Sequence, residues 1–201
     1  MSDSDSEPAG KHRPHTGRRR NDAAHEAILD AAMRLLTTAG GEPVTVDTIA
    51  REAGVGKQTI YRWWPTKGAI FLEALTRHAR IEVPSPDTGS LPADLEQFLT
   101  ATFHGANEPA TASLLRTLAA EASGNPYVAE LLREFTQTRR DALNTILERG
   151  QGRGELAADT DLGLMVDQVY GLLWYRLLLG NAPFTPGLAK RLTRTLISGH
   201  Q

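Results

Sequence analysis

A chain of 201 residues with 40% hydrophobic and 23% charged residues has ordinary globular composition, enough for a packed core and for one large or two small domains. It contains no cysteine, which excludes disulfides, thiolate metal sites and a thiol nucleophile; a reducing cytoplasm fits that usage. The formal charge of −2 conceals a local excess, because residues 11–80 hold 12 Lys+Arg against 7 Asp+Glu and residues 81–201 hold 10 against 14, so a polyanion is expected to bind the first segment.

The longest apolar run, Val169–Tyr175, is closed by Arg176 and falls far short of the roughly 20 residues of a membrane span. Residues 1–10 are acidic and polar, without the apolar stretch of a signal peptide. The expected location is cytoplasmic, with no membrane partner.

Residues 1–20, rich in Ser, Pro, Gly and charge, read as a disordered basic arm ending in Arg18, Arg19 and Arg20. From Asn21 the pattern changes. Ile28, Ala31, Ala32, Leu35, Leu36 and Ala39 fall on one helical stripe, with Asn21 or Asp22 to cap its start and Gly40-Gly41 to end it. A short helix follows from Thr45 or Asp47 to Gly54, with Ile49, Ala50 and Ala53 inward. Gly54-Val55-Gly56 is a tight connection, Val55 plugging the angle it makes. A second short helix over 57–64 places Ile60 and Trp64 four apart on an apolar edge and spreads Lys57, Gln58, Thr59, Tyr61 and Arg62 over the rest. Pro65 stops it and Thr66 caps a helix to about 81, with Ile70, Phe71, Ala74, Leu75 and His78 as its stripe.

Three prolines and a glycine make 82–92 a linker or elongated turn. Helices are then predicted over 91–105, 108–123, 126 to about 149, 162–179 and 185 to about 198. Asn125-Pro126 opens the third of these, "GQGRGEL" ends it, Asp159 or Asp161 caps the fourth and Thr185-Pro186 starts the last. No strand pattern competes, so the chain is all-α: a three-helix head over 21–80 and a helical domain over 81–201. Helix 162–179 is apolar almost all round and must be buried on more than one side. Leu188, Leu192, Thr195 and Leu196 form a stripe on the last helix, and together these two helices suit a self-complementary four-helix interface in a homodimer.

Two short helices joined by a glycine-bearing turn, the second with one apolar edge and one polar face, form a helix-turn-helix pattern. "TVDTIAREAGVGKQTIYRWWPTKGAIFLEAL" (45–75) resembles the DNA-binding domain of the TetR family of bacterial transcriptional regulators, strongly over about residues 22–80. The remainder is similar mainly in helicity and length, although "RGQGRGEL…YGLLWYRLLLG" is similar to the dimer-forming end of some members. The resemblance implies a ligand-responsive regulator, a repressor, that binds a palindromic double-stranded DNA operator as a dimer and is released by a small hydrophobic effector of unknown identity.

It also implies residue roles. Lys57, Gln58 and Thr59 are placed to meet base edges in the major groove, and Tyr61 and Lys67 to hold phosphates. Lys and Gln suit guanine and adenine edges respectively. Lys67 adds a cation to a helix start, Thr45 and Thr48 position the head on the opposite backbone, and Arg62 joins this basic surface. Arg18, Arg19 and Arg20 suit an adjacent minor groove. Trp64 is assigned to the core. Trp63 is expected to pack on the C-terminal domain rather than to approach DNA, although its role stays open. Gly68 stands where many members carry an acid that caps the helix, which implies a looser first turn here.

The family places a ligand pocket among the C-terminal helices, for which Phe98, Phe103, His104, Glu121, Tyr127, Tyr170, Trp174 and Arg176 are the aromatic and polar candidates. No phosphate loop, nucleophile elbow or helical histidine pair is present, His12 and His15 lying in the leader, so no catalytic role, cofactor or metal is expected. An architectural or accessory DNA-binding protein without a ligand is the alternative, but about 110 residues of apolar helix after the linker are hard to explain that way.

Overall fold

The computed structural model describes residues 16–38, 44–82, 85–185 and 187–199, and among them every regular element is helical. In chain order these are α1 (Thr16–Thr38), α2 (Val46–Glu52), α3 (Lys57–Tyr61), α4 (Lys67–Glu82), α5 (Leu91–Asn107), α6 (Pro109–Ala122), α7 (Pro126–Gly152), α8 (Leu162–Leu179) and α9 (Leu188–Ser198). None of the described helices is long and apolar enough to cross a membrane.

The head is built as the apolar spacing requires. Ile28, Ala31, Ala32 and Leu36 of α1 are buried with Ile49 and Ala50 of α2, Ile60 of α3, and Ile70, Phe71 and Ala74 of α4. On the surface Arg77 of α4 bridges Glu26 at 3.0 Å and Asp30 at 2.9 Å on α1. Beyond the head, α4 continues into the body and packs on α7, which also meets α5, α6 and α8, while α9 lies on α5. Caps hold the long elements in register: the Asn125 side chain accepts from the N–H groups of Tyr127 and Val128, Asp161 accepts from Leu164 N–H, and Gly180 closes α8 at φ +61.

Several boundaries differ from expectation. Helix α1 begins at Thr16, so Arg18, Arg19 and Arg20 lie on helical backbone, good helix formers extending the first turns, rather than in a disordered arm. Residues 1–15 and the Gly40-Gly41 stop lie outside the described residues. Helix α3 ends at Tyr61, four residues before Pro65, and two N–H bonds to the Ile60 carbonyl, from Trp63 (2.9 Å) and Trp64 (3.0 Å), carry the chain into the turn. Helix α7 runs through Gly150 to Gly152, and Leu91 packs against Gly150, its Cδ1 and Cδ2 lying 2.8 Å from where a Cβ would stand. Helix α9 starts at Leu188, whose N–H bonds the Thr185 carbonyl at 2.9 Å; Pro186 lies outside the described residues.

The crossover between head and body is pinned rather than slack. Ser85 Oγ donates to the Ala142 carbonyl (3.0 Å), Arg149 to the Pro86 carbonyl (2.5 Å), and Asp94, fully buried, accepts from both the N–H and hydroxyl of Thr88 at 2.7 Å. At the other end of α4, Gly68 lies so close to α6 that a Cβ would stand 2.7 Å from Leu118 Cδ2, with Glu121 Oε2 at 3.6 Å. A side chain at position 68 would therefore meet Leu118, and the Thr66 hydroxyl, accepting from Ala69 N–H at 3.2 Å, caps the start of α4.

Helix α8 buries Met165, Val166, Val169, Tyr170, Leu173 and Leu177 on one side. Its other side exposes Leu164, Tyr175, Leu178 and Leu179 by 47–65%, so the helix is not buried all round within one chain. On α9 the inward set is Leu188, Ala189, Thr193, Leu196 and Ile197; Thr195, expected on the stripe, is exposed beside Lys190, Arg191 and Arg194 because the helix seats its other face on α5.

Gly68→Val is expected to destabilise the protein by about 1–3 kcal/mol through overpacking, measured by urea denaturation. The same change in a Leu118→Ala background should cost less, and equal costs in the two backgrounds would remove the close approach as the cause.

Candidate nucleic-acid interface and ligand cavity

The exposed side of α3 is shaped by what its opposite side buries. Ile60 is fully buried, and Trp64 follows it into the core with its indole N–H donating to Glu73 at 2.6 Å and its ring stacked on His25 at 4.7 Å. His25 Nε2 also lies 3.0 Å from Glu73. In the preceding turn Gly54 takes φ +66, a conformation a side chain would strain, and Val55 N–H bonds the Ala50 carbonyl at 3.0 Å. Thr45 and Thr48 form a capping box at the start of α2, so both hydroxyls already serve the helix.

With that edge fixed, Lys57, Gln58, Tyr61 and Arg62 are exposed, Tyr61 by 55%, while Thr59 is half-buried. Each cation has a local acceptor. Lys57 pairs with Asp47 of α2, Arg62 donates to Asn21 Oδ1 of α1 at 2.7 Å, and Lys67 donates to the Val44 carbonyl at 3.1 Å. The Val44 contact puts Lys67 beside Thr45, so the start of α4 and the start of α2 share one rim. Trp63 departs from expectation: it is half-buried within the head, edge-on to His25 (5.3 Å) and Trp64 (5.5 Å), with the Arg62 guanidinium 5.1 Å from its ring. His25 on α1, with Trp64 and Arg62 in the turn after α3, holds it there rather than on the C-terminal domain.

A cavity of about 390 Å³ opens in the body, walled by α4 (Leu75, His78), α5 (Ala101, Thr102, His104), α6 (Thr111, Leu115), α7 (Phe135, Thr136, Arg139) and α8 (Tyr170, Leu173, Trp174). Of the sequence candidates His104, Tyr170 and Trp174 meet here. Phe98 lies behind the wall, 4.8 Å from the Arg139 guanidinium that covers it, and Phe103 stacks on Phe184 at 5.4 Å. Glu121 stands at the head–body crevice by Gly68, Tyr127 is exposed at the start of α7, and Arg176 donates to the Pro183 carbonyl at 2.7 Å. These five are therefore corrected out of the lining: rings and charges chosen by residue type alone do not report which side of a helix faces which neighbour.

Arg139 was the residue to find. It occupies an inward position of α7 in series with Phe135, Leu143 and Ile146, a lone cation in an apolar stripe, and it is only 7% exposed. Its Nη2 donates to Thr102 Oγ1 at 3.0 Å, and its carbonyl accepts the Tyr170 hydroxyl at 2.8 Å. Burial pushes the Tyr170 phenol up to about 12 against the opposing charges of Arg139 and Arg140, and burial lowers the Arg139 pKa.

Residues 28–74 match the model of bacterial regulatory proteins of the tetR family, and residues 85–196 match a tetracyclin repressor-like C-terminal domain. The chain is 35% identical over 188 residues to the uncharacterized HTH-type transcriptional regulator YdeS of Bacillus subtilis, covering 92% of this chain and 93% of that one. It is 38% identical over 162 residues to the HTH-type transcriptional regulator AqdR of Rhodococcus erythropolis, covering 79% and 78%. The crystal structure of the TetR family transcription regulator SCO0332 superposes with a TM-score of 0.80 at 30% identity, over 89% of this chain and 98% of that one.

A raised phenol pKa contributes stability that is present below the unfolded value near 10 and is lost as pH rises through the folded value. The native protein is therefore expected to lose stability more steeply between pH 10 and about 12 than Tyr170→Phe, as urea midpoints across that range would record. Parallel profiles would contradict the burial of the neutral phenol.

Proposed function

Because the chain belongs to the TetR family of bacterial DNA-binding transcriptional regulators, we propose that it is a ligand-responsive repressor, binding a palindromic operator as a homodimer and released by a small hydrophobic molecule. The observation that carries this is the continuity of α4, which bears Lys67 at the rim of the head and Leu75 and His78 in the cavity wall. An occupant that shifts the wall shifts the helix that seats the head, and two recognition helices held about 34 Å apart for successive major grooves then lose their match.

In this reading Gln58 and Lys57 of α3 read base edges, with Thr59 beside them. Tyr61, Arg62 and Lys67 hold phosphates, and Thr45 and Thr48 place the start of α2 on the backbone. Arg18, Arg19 and Arg20 add cations carried on the first turns of α1 instead of on a free arm. The dimer is supported by the exposed side of α8, where Leu164, Gln168, Gly171, Tyr175 and Leu178 recur at alternating steps of four and three, the spacing of a helix that packs on a partner helix. Nothing lies within 4 Å of a Cβ at Gly171, so that stretch is open for close approach. Helix α9 supplies a polar and basic flank to the same interface.

Footprinting on the DNA beside the protein's own coding region tests the reading: a discrete palindromic footprint is expected, and a diffuse coating would support an architectural protein instead. Gln58→Ala should change base preference at one symmetric position by about 1–3 kcal/mol. Lys67→Ala should weaken binding to all sequences alike and reduce the salt slope by about 1. Identical behaviour of the two variants would overturn the division between reading and positioning. Leu178→Glu should give a monomer by analytical ultracentrifugation with the helical content retained, and a native dimer that survives this change would place the interface elsewhere.

A further inference from the structure

Lys57, Arg62 and Lys67 are held in chemically different ways. Lys57 faces a carboxylate, Asp47, and Lys67 a backbone carbonyl, whereas Arg62 donates from Nη2 to the neutral side-chain amide of Asn21 at 2.7 Å. Its guanidinium also stands 5.1 Å from the centre of the Trp63 ring, inside the distance of about 6 Å at which an aromatic face attracts a cation. Among the described residues the guanidinium has no other partner, so nothing there neutralises its charge.

Both supports belong to one docking of the turn after α3 on the start of α1. Asn21 and His25 lie four apart, on one side of α1. While Asn21 takes the guanidinium, His25 meets the Trp63 ring edge-on at 5.3 Å. Trp63 is half-buried, and Asn21 and Arg62 are exposed. Arg62 closes α3, its N–H bonding the Gln58 carbonyl at 3.2 Å, so whatever fixes its side chain fixes a cation one turn beyond Gln58 on the same helix.

Resting on the reading of α3 as the helix that enters the major groove, we propose that Asn21 and Trp63 are positioning residues for DNA binding, a cradle that presents Arg62 to one backbone phosphate. A guanidinium has five N–H donors, so the bond to Asn21 leaves others for phosphate oxygens, which its planar fork matches. The neutral amide sets the direction of that fork without cancelling its charge, as a carboxylate in the same place would. An arginine ordered before the duplex arrives also loses less side-chain freedom on binding. The partner is a phosphate rather than a base edge, because base edges are met by the N-terminal residues of a recognition helix, whereas Arg62 stands at the C-terminal end of α3, beside α1. The cradle gives Trp63 a role that its spacing in the sequence does not reveal.

A phosphate contact carries no sequence information, so a fluorescein-labelled duplex of random sequence serves as the probe, titrated with the full chain between about 50 and 200 mM salt and read by fluorescence anisotropy. Arg62→Ala should reduce the slope of log affinity against log salt by about 1. Asn21→Asp, which keeps the shape but turns the holder into a counter-ion, should reduce the slope as much and weaken low-salt binding about tenfold. Asn21→Ala and Trp63→Leu leave the charge but not its placement, and should keep the slope while weakening binding about threefold each. In an Arg62→Ala background the two Asn21 substitutions should each change affinity by less than about twofold. Asn21 is exposed, so its variants test the cradle with the fold intact, checked by circular dichroism, even where Trp63→Leu does not fold. A native slope in Arg62→Ala or Asn21→Asp, or Asn21 losses that persist undiminished without Arg62, would overturn the cradle and leave the head as a DNA-binding unit. Absence of binding by the native chain at low salt would overturn that reading as well, and the cradle with it.

Discussion

The contact of α4 with α6 at Gly68 governs how the two halves of the molecule sit on one another. With no side chain at that position, the first turn of α4 lies directly against Leu118, which is buried with Leu72 and Val128 in a small core distinct from the main one. Helix α4 is about 24 Å long and stiff over that length, so its placement at the head end fixes where Leu75 and His78 stand in the cavity wall. The same α6 supplies Thr111 and Leu115 to that wall, and its Arg116 donates to the Leu177 carbonyl at the end of α8 at 3.1 Å. The head, the cavity and the end of α8 thus share one neighbour in α6.

Buried charge is handled in two different ways within the body. Asp94 is enclosed by Thr88 and Arg153, and Arg153 reaches Glu155 and Asp87 as well. Burial works to raise the Asp94 pKa, but the two Thr88 hydrogen bonds and the nearby Arg153 and Arg149 hold it below the usual carboxylate value. That network locks the crossover at the start of α5 and faces no cavity. Arg139, in contrast, lies over the Phe98 ring and donates to Thr102 Oγ1 at the cavity wall, where burial lowers its pKa.

Much of the head was legible because its cues are local. The stripe of α1, the Thr45 cap, the glycine turn and the inward pair Ile60 and Trp64 follow from spacing along one or two short helices, and each is where the sequence places it. Trp63 was not legible, since its place depends on His25 of α1, which is 38 positions away. The cavity was legible only in part for the same reason. Periodicity says that a position on α5 or α7 points inward, but five helices meet there, and only their crossing decides that Thr102 and Arg139 reach the void while Phe98 lies under Arg139 and Phe103 meets Phe184. The signal that was available, a single arginine within an apolar stripe, carries more weight than aromatic type. Close packing likewise explains Gly68, where the family's usual acid had suggested a looser turn.

The acceptors held by Lys57, Arg62 and Lys67 have a consequence for how such a head samples a long polyanion. A phosphate that engages Lys67 must displace the Val44 carbonyl, and one that engages Lys57 must displace Asp47. Exposed bonds of this kind are each worth about 0–1 kcal/mol, small beside a well-formed base contact but comparable with the net gain from one extra phosphate. On the proposed assignment of these residues, the head would therefore grip an arbitrary stretch of duplex more weakly than its local positive charge suggests. If Gln58 reads a base as proposed, only a sequence that also satisfies it would repay the exchange, and the modest internal pairs would sharpen search by shortening the time spent in the wrong place.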